Sequence, residues 1–146
     1  MFGQIDDLHS AGVPYAFRGS SALPRSVERI DEMISGPNTT MLVAADDERV
    51  LGHVGVELVT VPPDRTPLVA RRFALVHDLI VTADAREHGI GSALMAAVER
   101  WAGERDAESV ELTVWTFNQN ALRLYERLGY ETQMRRLRRV LAPGEA

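Results

Sequence analysis

The sequence contains no cysteine. That excludes disulfide staples, thiolate metal sites and a cysteine nucleophile, and no metal centre of any kind is expected. It has no apolar run approaching the roughly 20 residues that a membrane-crossing helix needs. The first residues, Met1 to Asp7, lack both the basic start and the long apolar stretch of a secretory leader. Together these absences predict a cytoplasmic protein with no membrane partner. Clustered positive charge is also scarce: 16 Lys+Arg stand against 21 Asp+Glu, a formal net charge of -5. Nucleic-acid binding is driven by basic residues that neutralise phosphates, so nucleic acid is not an expected partner. The one basic cluster, Arg135-Arg136 with Arg138-Arg139 around Leu137, reads as the solvated face of a strand. Internal repeats and low-complexity runs are absent, and residues 1–146 are read as a single domain.

What is present is patterned. Phe2, Ile5, Leu8 and His9 recur at helical spacing, so the chain begins inside a helix that Gly12 and Pro14 end. Ser26 is placed to cap a second helix, which Gly36-Pro37 stops. Thr40 to Ala45 and Val50 to Val61 read as strands joined by the hairpin turn Asp46-Asp47-Glu48-Arg49. Phe73 to Val81 is a nearly continuous apolar run, interrupted by His77 and Asp78, which suits a strand buried on both faces. Leu94, Met95, Val98 and Trp101 return to helical spacing, Glu108 to Trp115 alternates like a strand, and Asn118 to Leu128 reads as a helix closed by Gly129. Tyr130 to Val140 is predicted as a last strand. The result is an α/β domain with a mixed sheet and at least one crossover.

The strongest local signal is the apolar strand ending at Val81, followed by Arg86-Glu87-His88-Gly89-Ile90-Gly91-Ser92 at a helix start. Glycine permits positive φ and close backbone approach. The free N–H groups of a first helical turn, with the helix dipole behind them, favour an anion. Arg86 adds a forked cation and His88 a further donor. The construction suits a diphosphate. It is not a dinucleotide fingerprint, which needs a third glycine and a later acid, nor a P-loop, which needs Gly-Lys-Ser/Thr. Two glycines at a helix start are by themselves equally compatible with a plain turn.

A second constellation follows the next strand: Asn118, Ala121, Leu124, Tyr125, Gly129 and Tyr130. With Arg86, Gly89 and Gly91 at their separation upstream, the stretch from about Val43 to Leu137 resembles the GCN5-related N-acetyltransferase (GNAT) superfamily, with Tyr130 where the family motif carries Phe. The resemblance implies a mostly antiparallel mixed sheet with a splayed central strand pair and helices on both faces. It implies acetyl-CoA as cofactor and CoA as product. The pantetheine arm would pair with the backbone of Leu79, Ile80 and Val81, and the Leu79 amide would face the thioester carbonyl as an oxyanion donor. Arg86 to Ser92 would hold the pyrophosphate, Asn118 and Ala121 would lie beside the cofactor, and Tyr125 would protonate the departing thiolate. Asn118 reads equally well as a helix cap, and Tyr125 as a packed aromatic.

The attacking amine must lose a proton. His77 and Asp78 precede Leu79 and are the first candidates for the base; Glu57 and His53 on the neighbouring strand are reserves, as is a water relay. His77 departs from the carboxylate usual there. Trp115 and Phe117 are candidates for the acceptor pocket, and His9, Tyr15 and Phe17 for a lid over it. The family also begins with a strand before the first helix, and none is seen here. An open sheet edge favours association, so a homodimer is expected. The leading reading is acetyl transfer to a primary amine of a small molecule by direct attack in a ternary complex. Acetylation of protein N-termini or lysines, and a catalytically silent acyl-CoA-binding module, remain alternatives.

Overall fold

The computed structural model describes residues 2–16 and 27–144. Its elements are α1 (Phe2–Gly12), α2 (Val27–Ser35), β1 (Thr39–Ala45), β2 (Val50–Val61) and β3 (Arg71–Val81). A single 3-10 turn at Ala83–Ala85 follows, then α3 (Ile90–Gly103), β4 (Ser109–Leu112) and α4 (Gln119–Arg127). The proposed cap Ser26 and the lid residue Phe17 lie outside the described residues. The strands form one sheet in the order β1-β2-β3-β4. β1, β2 and β3 are successively antiparallel, and β3 pairs with β4 in parallel. A parallel pair needs a crossover, and α3 supplies it. The hairpin between β1 and β2 is closed by the Asp46 carboxylate, which accepts the backbone N–H groups of Glu48 and Arg49 at 2.9 and 2.8 Å.

The period of two along β2 assigns its faces. Val54 and Val56 pack into the core beneath α3, and Gly52 lies against Leu94. His53, Gly55 and Glu57 therefore face the other way, where Gly55 approaches Met33 of α2. The sheet thus carries helices on both faces, as the resemblance implied. Strand β3 does not keep step throughout. Gly55 opposes Asp78 and Val56 opposes Val76, so His77 is an extra residue with no opposite number. This is a β-bulge, and it re-aims the side chains that follow. Ala74 and Val76 before it, and Leu79 and Val81 after it, all reach the α3 core. His77 and Asp78, though consecutive, both serve the α2 side.

The core is Val54, Val56, Ala74 and Val76 from the sheet with Leu94, Met95, Val98 and Ala102 from α3. Leu94, Met95 and Val98 are the helical-period residues of the sequence. Two expectations fail. β4 is only Ser109–Leu112, shorter than the Glu108–Trp115 alternation predicts. No strand forms at Tyr130–Val140: the segment from Tyr130 to Gly144 has no regular structure. A strand needs a neighbour for its N–H and C=O groups, and none lies alongside. The sheet ends at β4. Among the described residues no strand precedes α1.

Met95 is fully buried at the centre of the α3–sheet contact. Met95→Ala is expected to lower unfolding free energy by about 2–5 kcal/mol, measured by denaturant titration, with the far-ultraviolet spectrum unchanged. A loss below about 1 kcal/mol would show that the α3 face is not the packed centre.

Candidate active site

The parallel pairing of β3 and β4 runs from Phe73↔Ser109 to Val76↔Leu112 and stops. β3 continues to Val81 with β2 still beside it. From Asp78 to Val81 the strand is therefore paired on one edge and open on the other. The opening begins at the bulge. This is the splayed strand pair that the resemblance implied.

At the end of β3, Thr82 ties the chain to β2, its N–H and hydroxyl both donating to the Leu51 carbonyl. The 3-10 turn is anchored from the hairpin by an ion pair between Arg49 and Asp84, and Arg49 holds the Asp84 carboxyl below the usual carboxylate range. The chain then turns into α3 through two left-handed residues, Glu87 at φ 65° and Gly89 at φ 77°. Gly89 adopts this without strain. For Glu87 it costs about 1–2 kcal/mol, and a non-glycine residue held there marks a constrained loop. Nothing in the sequence singled out Glu87 for this conformation. α3 has no side-chain cap, so the first-turn N–H groups of Ile90, Gly91 and Ser92 project from the helix end as anion donors. Arg86 Nε donates to the Val81 carbonyl at 3.1 Å, fixing the guanidinium beside the open edge.

Two loop residues make contacts that local sequence does not show. His88 Nδ1 lies 2.6 Å from the Arg86 carbonyl oxygen, so that ring nitrogen carries a proton and braces the loop. A Cβ on Gly91 would come within 3.2 Å of Leu124 Cδ2. Its smallness serves the contact between α3 and α4, while Gly89 supplies the turn.

On α4, Asn118 Oδ1 accepts the Ala121 N–H at 3.3 Å, so the cap reading of Asn118 is realised. At the far end Gly129 takes φ 87°, which returns the Tyr130 N–H to the Tyr125 carbonyl at 2.9 Å. The two rings meet edge to face at 5.7 Å, and the Tyr130 hydroxyl donates to Glu99 of α3 at 3.2 Å. Tyr125 packs against the core, and burial pushes its phenol up to about 12. Tyr130 is raised too, by burial first and then by the Glu99 charge. Tyr125 is thus a neutral phenol at physiological pH, held by Tyr130. The motif located Tyr125 but not its brace.

The α2 side gathers the base candidates. His77 Nε2 is 2.8 Å from Glu57 Oε2, both side chains nearly half exposed. His53 Nε2 is 3.6 Å from Asp78 Oδ2, and both residues are largely buried. Asp78 Oδ1 is buried with no hydrogen-bond donor; it lies against Gly55, where an added Cβ would sit at 2.7 Å. A buried carboxylate oxygen without a donor is costly and calls for a reason. Beside it is a cavity of about 190 Å³ lined by residues that include Arg29, Glu32, Met33, Gly55 and His77. Arg29, Glu32 and Met33 carried no motif; only the packing of α2 on the sheet brings them here.

Of the three expected lid residues, His9 and Tyr15 lie within the described residues. His9 meets Phe117 edge-on at 6.0 Å, and Phe117 also closes on Gly12. Tyr15 instead lies under the Arg138 guanidinium, 3.6 Å away. Among the described residues no cluster of potential metal ligands occurs, and no helix is long and apolar enough to cross a membrane.

Residues 7–130 match the model of the acetyltransferase (GNAT) family. The uncharacterized N-acetyltransferase YhfO of Bacillus subtilis is 25% identical over 115 residues, covering 79% of this chain and 74% of its own. The uncharacterized N-acetyltransferase MJ1207 of Methanocaldococcus jannaschii is 39% identical over 61 residues, which are 42% of this chain and 27% of the archaeal one. The matched part therefore spans about a quarter of that relative. A crystal structure of a mutant of the BH1408 protein from Bacillus halodurans superposes with TM-score 0.91 at 25% identity, covering 97% of this chain and 89% of the other. That share is too large to leave out the C-terminal segment after Gly129. An aminoglycoside acetyltransferase from an uncultured soil metagenomic sample, in complex with sisomicin, has TM-score 0.69 at 16% identity, covering 95% and 88%, and shares the fold.

The Tyr125 phenol predicts an alkaline signature. Its folded pKa of about 12 lies above the ordinary 10.0, so the stability it contributes is complete below pH 10 and is lost as pH rises toward 12. Tyrosinate absorbance at pH 11 should be lower in the folded wild type than after unfolding, and Tyr125→Phe should reduce that difference. An equal absorbance in both states would contradict the burial of Tyr125.

Proposed function

The chain belongs to the acetyltransferase (GNAT) family, and from that premise we propose that it transfers the acetyl group of acetyl-CoA to the primary amine of a small molecule, by direct attack in a ternary complex. The observation that carries this reading is the open edge of β3 from Asp78 to Val81, with the uncapped start of α3 at one end and the Asp78 side chain at the other. The fit to acetyl-CoA is good at both ends: a diphosphate needs the N–H groups and Arg86, and an extended amide-bearing arm needs an unpaired strand edge. Arg86 to Ser92 hold the diphosphate. Backbone groups alternate between the two edges of a strand, so Leu79 and the Val81 N–H offer the open backbone; Ile80 faces its β2 partner His53, and the Val81 carbonyl already receives Arg86.

In the transfer, Asp78 takes the proton of the amine, and the nitrogen lone pair then attacks the thioester carbon. The Leu79 N–H stabilises the oxyanion that forms. Tyr125 gives its proton to the departing thiolate as the C–S bond breaks, and the second proton shed by the acylated nitrogen restores the Tyr125 phenol. Asp78 is preferred to His77 as base because its buried Oδ1 lacks a donor, which an ammonium group supplies. His77 is engaged by Glu57 at the surface. Glu32, which lines the cavity, and Glu57, which holds the cavity-lining His77, draw a cationic acceptor toward Asp78. The cavity, about 190 Å³ and roofed by α2, favours a small acceptor over a peptide laid across the surface. The reading includes a cytoplasmic location and a homodimer.

Acetyl-CoA should bind the purified chain in a calorimeter. Arg86→Ala should weaken it about 10-fold to 100-fold, the worth of a hydrogen bond to a charged group; unchanged affinity would refute the diphosphate assignment. Thiol release with a library of amines should identify the acceptor. With that acceptor, Asp78→Asn should cut kcat by about 10²–10⁴ while acetyl-CoA affinity stays within about twofold. Undiminished turnover would remove Asp78 from the chemistry.

A further inference from the structure

Among the described residues His53 is the one buried polar or charged residue, 4% exposed. The transfer chemistry above does not use it. Burying an imidazole is costly unless a partner faces it, and on β2 the register sets that partner. His53 lies opposite Ile80, and Gly55 opposite Asp78. His53 and Asp78 are therefore diagonal neighbours on the α2 side of the sheet, a spacing that long side chains can bridge. Gly55 makes the bridge possible. It has no side chain, and the Asp78 carboxylate takes up that space: a Cβ on Gly55 would lie 2.7 Å from Oδ1. The carboxylate is thereby held over β2, where His53 Nε2 stands 3.6 Å from Oδ2.

The two oxygens of Asp78 thus have different surroundings. Oδ2 faces the imidazole. Oδ1 is buried without a donor against Gly55, which lines the cavity. An aspartate carboxyl turns readily about its last torsion, so a base that must present one oxygen needs the other one held. The remaining ionisable groups on this face have other positions. Glu57 engages His77, and Arg29 and Glu32 of α2 line the cavity.

We infer that His53 is the positioning residue of the base: its Nε2–H holds Asp78 Oδ2 and keeps Oδ1 aimed at the acceptor cavity. This rests on the reading of Asp78 as base and deepens it. His53 is not among the residues that line the cavity, so it acts through Asp78 and is not itself the base. At 3.6 Å the contact is longer than a hydrogen bond, the usual condition of a catalytic contact before its substrate arrives.

The chain has four histidines, so imidazole correlation spectra of nitrogen-labelled protein resolve each ring without any acceptor. His53 should carry a proton on Nε2, and Asp78→Asn should move its ring nitrogen shifts. A bare Nε2, or ring shifts indifferent to Asp78→Asn, overturns the proposal. Thiol release is then followed with ethylamine, ethylenediamine and benzylamine, the fastest serving as acceptor. His53→Leu should lower kcat about 10-fold to 100-fold, the worth of a hydrogen bond to a charged group. KM for acetyl-CoA should stay within about twofold, which also shows that the variant is folded. His53→Gln, whose amide N–H reaches about as far as Nε2, should recover to within about fivefold of wild type. In the Asp78→Asn background, His53→Leu should lower kcat by less than about twofold more, because residues that act through one group do not add. Wild-type turnover in His53→Leu overturns the proposal, as does a loss that His53→Gln does not rescue or that is equal in both backgrounds. A slow Asp78→Asn beside an unimpaired His53→Leu leaves the base standing and removes its positioning residue. Wild-type turnover in Asp78→Asn removes the base, and this proposal with it.

Discussion

A β-strand has two edges, and after Val76 strand β3 has a partner on only one of them. The rest of the molecule is arranged around that fact. An unpaired edge deep in a domain is expensive, because each N–H and C=O left without a partner forfeits about 1–3 kcal/mol. Proteins retain such an edge when a ligand completes it. The bulge at His77 sits where the pairing ends, so one irregularity both re-aims side chains toward α2 and coincides with the opening beside β4.

The surrounding elements hold this opening from three directions. α3 packs Leu94, Met95 and Val98 onto the same strands and brings its uncapped start to the end of β3. Arg86 is bonded to the last carbonyl of the strand. α4 lies against the start of α3 through the Leu124–Gly91 contact, and its Tyr125 is fixed by Tyr130 and kept neutral by burial. On the opposite face, Met33 and Gly55 enclose a carboxylate oxygen that no described residue satisfies. A cation donor, an open strand and a neutral phenol on one side of the sheet thus adjoin a desolvated carboxylate on the other. That is the set of groups needed to pass an acyl group across the sheet edge to a nucleophile arriving from the α2 side.

Much of this was legible in the sequence because it depends on near neighbours. The strand–loop–helix from Leu75 to Val98 is written in local periodicity and in the placement of Gly89. The cap Asn118 and the left-handed Gly129 are local too. What was not legible depends on register and on distant partners. A bulge at His77 exists only relative to β2, so the sequence could not rank Asp78 above His77; that ranking follows from Gly55 leaving Asp78 desolvated and Glu57 engaging His77. The contact of Gly91 with Leu124 was not legible, because Leu124 lies far along the chain. The stretch from Tyr130 to Val140 reads as a strand but forms none, because a strand exists only where another lies beside it, and nothing local says whether one does.

The central claim is that the open edge of β3 is where the acyl donor lies. Amide chemical-shift mapping on nitrogen-labelled protein titrated with acetyl-CoA tests it residue by residue. The account predicts that the largest changes fall on Leu79 and Val81, together with Ile90, Gly91 and Ser92 at the start of α3. Changes confined to α2 and β1, with Leu79 and Val81 unmoved, would contradict it.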